Sequence, residues 1–349
     1  MKILLLYSEY VNYLDGVIQV LARDFGAVIK VISWDTNLLK PMKTPEIEGV
    51  SFVKRSDVSV SGIVAILEGF NPNIVYISGW MDNGYLKSLN KAKNRKRFIT
   101  VCGFDDNWHG TFRQRFGALY FKLLLRKNFD KAWVAGSRQY YYARQFGYED
   151  CDIAFNLLSC NTLKFDHKIK KFLHRRKDSP RFFYVGNFRD VKGTDLLAKA
   201  FTLYRDLLGG KGQLTCIGQG PYEHYLQEEC GIEVLPYMSS QELIDRAHQF
   251  DVFVLPSRRD QWGVALHEFA LLGFPIISSV GAGSTERFLI DGYNGFFFDN
   301  NDVQDLARIM KQFDEISTDT LALFGARSRN LGLTITSETS AASLLSLAY

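Results

Sequence analysis

The chain has 349 residues, of which 46% are hydrophobic and 23% charged. That is too long for one ordinary core and too apolar for a disordered chain, so two domains are expected. No run approaches the ~20 apolar residues of a membrane span, and none of the five cysteines forms a C-x-x-C pair, which excludes a zinc ribbon or a dithiol redox motif.

The first run, Ile3-Leu4-Leu5-Leu6-Tyr7, is too short for an export signal and reads as a buried strand; a cytoplasmic protein with reduced thiols is expected. Alternating short apolar runs and longer helical patterns predict an α/β protein with parallel sheets. In the first half the strands are Lys2–Tyr7, Val28–Ser33, Ile74–Ile77, Phe98–Val101, Lys131–Ala135 and Asp152–Ala154. Between them lie helical stretches such as Gly16–Phe25 and Thr111–Arg126. The net charge of +4 hides an asymmetry: Tyr85–Gln145 holds fourteen Lys or Arg against three Asp, a local +11, which leaves −7 for the remainder.

That basic region includes Lys87, Lys91, Lys93, Arg95, Lys96 and Arg97. It continues into Thr111–Lys131, where Phe112, Phe116, Leu119, Tyr120, Leu123 and Leu124 recur at helical spacing among Arg113, Arg115, Lys122, Arg126 and Lys127. Two readings stand: an amphipathic helix on anionic lipid, or a core-facing helix with a solvated basic face. No nucleic-acid motif accompanies the charge.

The polar, proline-closed segment Phe165–Pro180 reads as a linker. It separates a domain over 1–165 from one over 180–334, with a last helix, about 335–349, crossing back to the first. In the second half strands are predicted at Arg181–Val185, Gln213–Ile217, Ile232–Leu235, Val252–Leu255 and Pro275–Ser278. Helices are predicted at Thr194–Leu208, Tyr222–Glu229, Ser240–Gln249, Gly263–Leu272 and Val303–Phe313. Two doubly wound sheets follow, each with a crevice at the carboxyl ends of its strands.

The chemistry concentrates in Asp251–Ser279. A buried strand ends at Pro256-Ser257, Asp260 lies in the loop beyond, and Gly263 opens a helix that carries Glu268 about a turn and a half in. A helix start offers free N–H groups and a positive dipole end to an anion or a sugar. The plain alternative is that Asp260 caps the helix and Glu268 solvates its outer face. A second cluster is Tyr184-Val185-Gly186-Asn187-Phe188-Arg189-Asp190-Val191-Lys192-Gly193, a strand end, turn and helix start in which Lys192 could neutralise a departing diphosphate.

The pattern Pro256-Ser257, Asp260, seven residues, Glu268-Phe269-Ala270, Gly273-Phe274-Pro275-Ile276-Ile277 resembles the carboxyl-terminal motif of the retaining GT-B glycosyltransferases of family 4 (glycosyl transferases group 1). Weaker elements follow in the same order: Ile217-Gly218-Gln219-Gly220-Pro221, Leu235-Pro236-Tyr237-Met238, Gly281–Glu286 and Asp291–Phe296. The resemblance covers Phe182 to about Phe313.

It implies two Rossmann-like domains with a cleft between them, and transfer from a nucleotide sugar (UDP- or GDP-sugar) with retention and without a required metal or other cofactor. By the same resemblance Asp260 contacts the donor sugar, Glu268 holds the ribose, and the amides of Trp262, Gly263 and Val264 bind sugar hydroxyls or phosphate. Lys192 and Arg189 stabilise the diphosphate beside Gly186 and Asn187, and Tyr237 flanks the base. In the first domain Gly16 corresponds to a glycine turn beside the phosphates, and Asp105, Asp106, Asn107 or His109 to a sugar-contacting group; His109 also reads as a surface loop residue.

This chain departs from the family pattern at Asp260 (usually Glu), Asn187 (usually Arg), Cys102 (usually His nearby) and Gly16 (one glycine where two are usual). The implied acceptor is a membrane-associated glycan or lipid-linked sugar in polysaccharide or lipopolysaccharide synthesis, met on the inner face of the plasma membrane. A GT-B sugar-nucleotide epimerase and a non-catalytic nucleotide-sugar-binding protein are the alternatives. A dinucleotide-binding oxidoreductase is not supported, because Ser8–Gly16 lacks G-x-G-x-x-G.

Overall fold

A computed structural model describes residues 1–11, 13–35, 44–93, 98–165, 179–229 and 231–348. Arg95, Lys96 and Arg97 of the basic region, and nearly all of the charged segment before Pro180, lie outside the described residues. The chain divides into two compact units, Met1–Asn161 with Thr336–Tyr349, and Thr162–Ile335.

The first unit runs β1 (Lys2–Tyr7), α1 (Leu14–Arg23), β2 (Val28–Ser33), β3 (Val50–Lys54), α2 (Val60–Phe70), β4 (Ile74–Ile77), α3 (Asn83–Lys93), β5 (Ile99–Phe104), α4 (Phe112–Tyr120), β6 (Lys131–Val134), α5 (Ser137–Gln145) and β7 (Ile153–Ala154). Its strands pair in parallel in the order β3-β2-β1-β4-β5-β6-β7. Parallel strands covered on both faces need continuous apolar runs, and β1 and β4 supply them: every residue of β4 is buried, as is all of β1 past Lys2. The Tyr85 hydroxyl donates to the carbonyls of Tyr7 and Ile32, 3.1 Å each, and ties α3 to the ends of β1 and β2.

The second unit runs α6 (Thr162–Phe165), β8 (Arg181–Asn187), α7 (Thr194–Thr202), β9 (Gln213–Gln219), α8 (Glu223–Gln227), β10 (Ile232–Leu235), α9 (Ser240–Arg246), β11 (Val252–Leu255), α10 (Val264–Leu271), β12 (Ile276–Ser279), α11 (Thr285–Phe288), β13 (Gly295–Phe298), α12 (Val303–Glu315) and α13 (Thr318–Gly332). Its sheet order is β10-β9-β8-β11-β12-β13. The chain then returns through α14 (Ser337–Ser346), which packs on α1 of the first unit.

The structure corrects several expectations. β3 and β13, both missing from the sequence reading, are edge strands, and β3 is half-exposed along its length, so it lacks a continuous apolar run. In the second half α13 lies outside the expected helices, and in the first half α2, α3 and α5 add to the two named; the apolar face of α2 buries only Ile63 and Leu67. The helices expected at Thr111–Arg126 and Thr194–Leu208 each loosen into a π-turn, at Phe121–Leu125 and Leu203–Leu207.

Candidate functional site

In the second unit the first and fourth strands, β8 and β11, lie side by side. The chain leaves them toward opposite sides of the sheet, and this opens a crevice at their carboxyl ends. Both motif clusters emerge there.

From β8 the chain passes through Phe188, which is fully buried, into one 3-10 turn over Asp190–Lys192. Gly193 follows at φ 66°. A Cβ there would collide with the carbonyl oxygen of Pro256, so only glycine lets this turn lie against the end of β11. The Arg259 N–H donates to the Val191 carbonyl at 3.1 Å and joins the two loops backbone to backbone.

Two ion pairs tighten that junction. Lys192 Nζ bonds Asp260 Oδ2; the Lys192 side chain keeps 28% exposure and that of Asp260 only 9%. Arg258 forks onto Asp195 at 2.6 and 2.7 Å, reaches the Asp190 carbonyl at 2.8 Å, and bonds Asn301 Oδ1 at 2.6 Å. Burial pushes the Asp195 carboxyl up, but the Arg258 hydrogen bonds and charge outweigh it and hold the group below its ordinary range. Arg258 thus fixes the turn carrying Lys192 to the start of α7. Sequence reasoning missed it, because nothing in the spacing links Arg258 to an acid 63 residues earlier.

Asp260 therefore does not cap α10, as the plain alternative had it. Its backbone is held by the loop after β12: its N–H donates to the Gly281 carbonyl, and its carbonyl accepts from the Gly283 N–H, 3.1 Å each. Ser284 closes the same loop onto the Trp262 and Gly263 carbonyls at 2.8 and 3.1 Å. Gly263, at φ 86°, is the residue before α10 rather than its first residue. Among the described residues the N–H groups of Trp262, Gly263 and Val264, at the start of α10, make no hydrogen bond. The Trp262 ring is buried.

Glu268 lies on α10 and is partly buried rather than solvated on an outer face. Desolvation pushes its carboxyl up to about 7. Its neighbour His267 is fully buried. That ring stacks on Phe288 (centroids 4.2 Å apart, 13° between planes), and Nε2 lies 2.9 Å from the Gly332 carbonyl. Burial lowers His267 to about 4. This second residue missed from sequence locks the rotation of α10 against the end of α13, and so sets where Glu268 points.

The remaining candidates fall as follows. Gly186 and Asn187 end β8, with Asn187 exposed, and Arg189 is exposed just beyond. Tyr237, after β10, is 53% exposed. Asp105, Gly16 and His109 belong to the first unit. Asp105 follows β5 directly, and the loop beyond it is pinned by Gln139 Nε2 on Asn107 Oδ1 at 2.6 Å and by the His109 N–H on Gln114 Oε1 at 2.7 Å. Gly16 lies inside α1, and a Cβ there would press on Ser337 and Asn161. Admitting the returning α14 accounts for that glycine by itself.

Residues 165–329 match the model of the family "Glycosyl transferases group 1". This region is a group 1 glycosyl transferase domain. Over 177 residues the chain is 29% identical to WcaL of Salmonella typhimurium, described as a colanic acid biosynthesis glycosyltransferase; the match covers 46% of this chain and 43% of that one. The chain thus spans less than half the length of that relative.

The transferase domain and the unit before it together have the GT-B fold. Sucrose-phosphate synthase from Thermosynechococcus elongatus superposes with a TM-score of 0.76 at 16% identity, over 99% of this chain and 98% of the other. The lipopolysaccharide outer core galactosyltransferase WaaB superposes at 0.67 and 16% identity, over 96% and 99%. Among the described residues no helix of either unit is long and apolar enough to cross a membrane.

Proposed function

We propose that the chain transfers a sugar, with retention of anomeric configuration, from a UDP- or GDP-sugar to a glycan or lipid-linked acceptor of cell-surface polysaccharide synthesis at an anionic membrane surface. One observation carries this reading: Lys192 and Asp260, from loops 68 residues apart, meet at the switch point of the sheet, next to the unbonded amides that open α10. A cation with partial solvent access beside a helix start suits a diphosphate. A buried acid one loop away suits the hydroxyls of the sugar it carries.

In this reading Lys192, with the exposed Arg189, takes the charge that grows on the leaving diphosphate. The amides of Trp262, Gly263 and Val264, with the Gly186-Asn187 strand end, hold sugar hydroxyls and phosphate. Asp260 orients the sugar, Glu268 accepts from the ribose diol, and Tyr237 covers the base. The family resemblance also assigns Asp105 or His109 a contact with the donor sugar and Gly16 a place beside its phosphates. The acceptor class is supported by the names of two similar proteins, one in colanic acid biosynthesis and one in lipopolysaccharide outer core assembly. No metal or other cofactor is required in this reading, and transfer is expected to proceed at an unchanged rate in excess chelator.

A thermal-shift screen against UDP-, GDP- and other nucleotide sugars tests the proposal. A true donor at a hundredfold excess over its Kd adds about 2.7 kcal/mol, and Lys192→Ala is expected to abolish most of that gain. Failure of every nucleotide sugar to raise the melting temperature, or undiminished transfer by Lys192→Ala, would overturn it.

A further inference from the structure

The α4 helix and its π-turn carry two apolar stripes, and only one is used by the fold. Ala118, Phe121 and Leu125 are buried, with Trp80 packed 6.0 Å from the Phe121 ring. On the opposite side Phe112, Phe116, Leu119 and Leu123 follow at spacings of four, three and four. At 3.6 residues per turn this puts them on one line. They are exposed by 81, 71, 53 and 70%, so of the two readings of this stretch the core-facing one does not hold for these residues. Arg113 flanks the line on one shoulder, and Arg115 and Lys122 on the other; all three are exposed. No Asp or Glu occurs between Thr111 and Asn128.

We propose that this face is a bilayer-docking surface: the helix lies in the plane of an anionic leaflet, with Phe112, Phe116, Leu119 and Leu123 below the headgroups and Arg113, Arg115 and Lys122 among them. The inference rests on the membrane-surface reading above and names the part of the molecule that makes the contact. Charge decides the occupant. A line of large apolar side chains with cations on both shoulders matches an apolar interior under anionic headgroups. A second copy of the chain would bring two such cationic faces together, which like-charge repulsion opposes. The aromatic and leucine side chains stand out from one convex helix, a shape that enters a fluid layer without a preformed partner pocket.

Co-sedimentation with vesicles of phosphatidylcholine, with and without phosphatidylglycerol, tests the proposal on the full chain. Binding is expected only with the anionic lipid, and weaker at high salt. Phe112→Ser/Phe116→Ser/Leu123→Ser and, separately, Arg113→Glu/Lys122→Glu should each lower it by at least about tenfold, with unchanged melting temperature because every altered side chain is exposed. The thermal shift with the nucleotide-sugar donor should stay at the wild-type value in both variants, so a failed donor reading and a failed membrane reading are separable. Equal binding to neutral vesicles, no vesicle binding at all, wild-type binding by the variants, or a self-association that the serine variant abolishes would each overturn the proposal.

Discussion

The two units share a strand order up to the sixth strand, so each has a switch point between its first and fourth strands, yet the chemistry at the two points differs. In the first unit Tyr7 and Tyr76 occupy the site, ring centroids 5.1 Å apart, with Trp133 edge-on to Tyr76 at 5.6 Å. Burial pushes the Tyr7 phenol far above its ordinary range, so it stays neutral. A Cβ on Gly103 would strike the Tyr76 hydroxyl. In the second unit the same position holds Lys192, Asp260 and Arg258 in a charged clasp. One topology therefore provides either a packed aromatic plug or a charged pocket. The side chains at the strand ends, and not the sheet, decide which.

Breaking the charged clasp should cost most. Lys192→Ala is expected to lower kcat by about 10²–10³, with a melting temperature that drops only modestly because Lys192 is partly exposed; steady-state transfer and calorimetry check both halves. Gly193→Ala should cost about 2–4 kcal/mol, since it combines a left-handed backbone with a collision against Pro256; denaturant unfolding measures it. The glycine of the aromatic plug offers the matched control: Gly103→Ala should destabilise without changing the donor-induced thermal shift.

Arg258→Lys keeps the charge but loses the fork onto Asp195 and Asp190. It should reduce kcat about tenfold and stability by about 1–2 kcal/mol, and the donor KM should rise because Lys192 is no longer held in place. Asp195→Asn should reproduce the effect, and the double variant should add little to either single change.

The smallest effect is a dependence on pH. Glu268, raised to about 7, makes the folded state bind an extra proton above the ordinary carboxylate range, so its contribution to stability falls as pH rises toward 7. His267, lowered to about 4, stays neutral when folded, so its contribution falls as pH drops from about 6.5 toward 4. These adjacent residues oppose each other between about pH 4.5 and 6.5. Glu268→Gln should leave a protein that loses more stability on acidification through that range than the wild type does. His267→Gln should tilt the slope the other way. Melting temperatures across pH 4.5–7 read both.

Much of the second unit was legible in its residues. Ile232–Leu235 and Val252–Leu255 have the bounds expected from their apolar runs, and the order of motifs from Phe182 onward pointed to Lys192, Asp260 and Glu268. Local patterning suffices where a strand is buried on both faces or a glycine must take a left-handed turn, because those demands fall on neighbouring residues. Only the tertiary structure could pair Arg258 with Asp195, stack His267 on Phe288 or separate the two stripes of α4. Each depends on which distant surface a side chain meets, and a periodicity of 3.6 is the same whether its apolar line faces the core or the solvent.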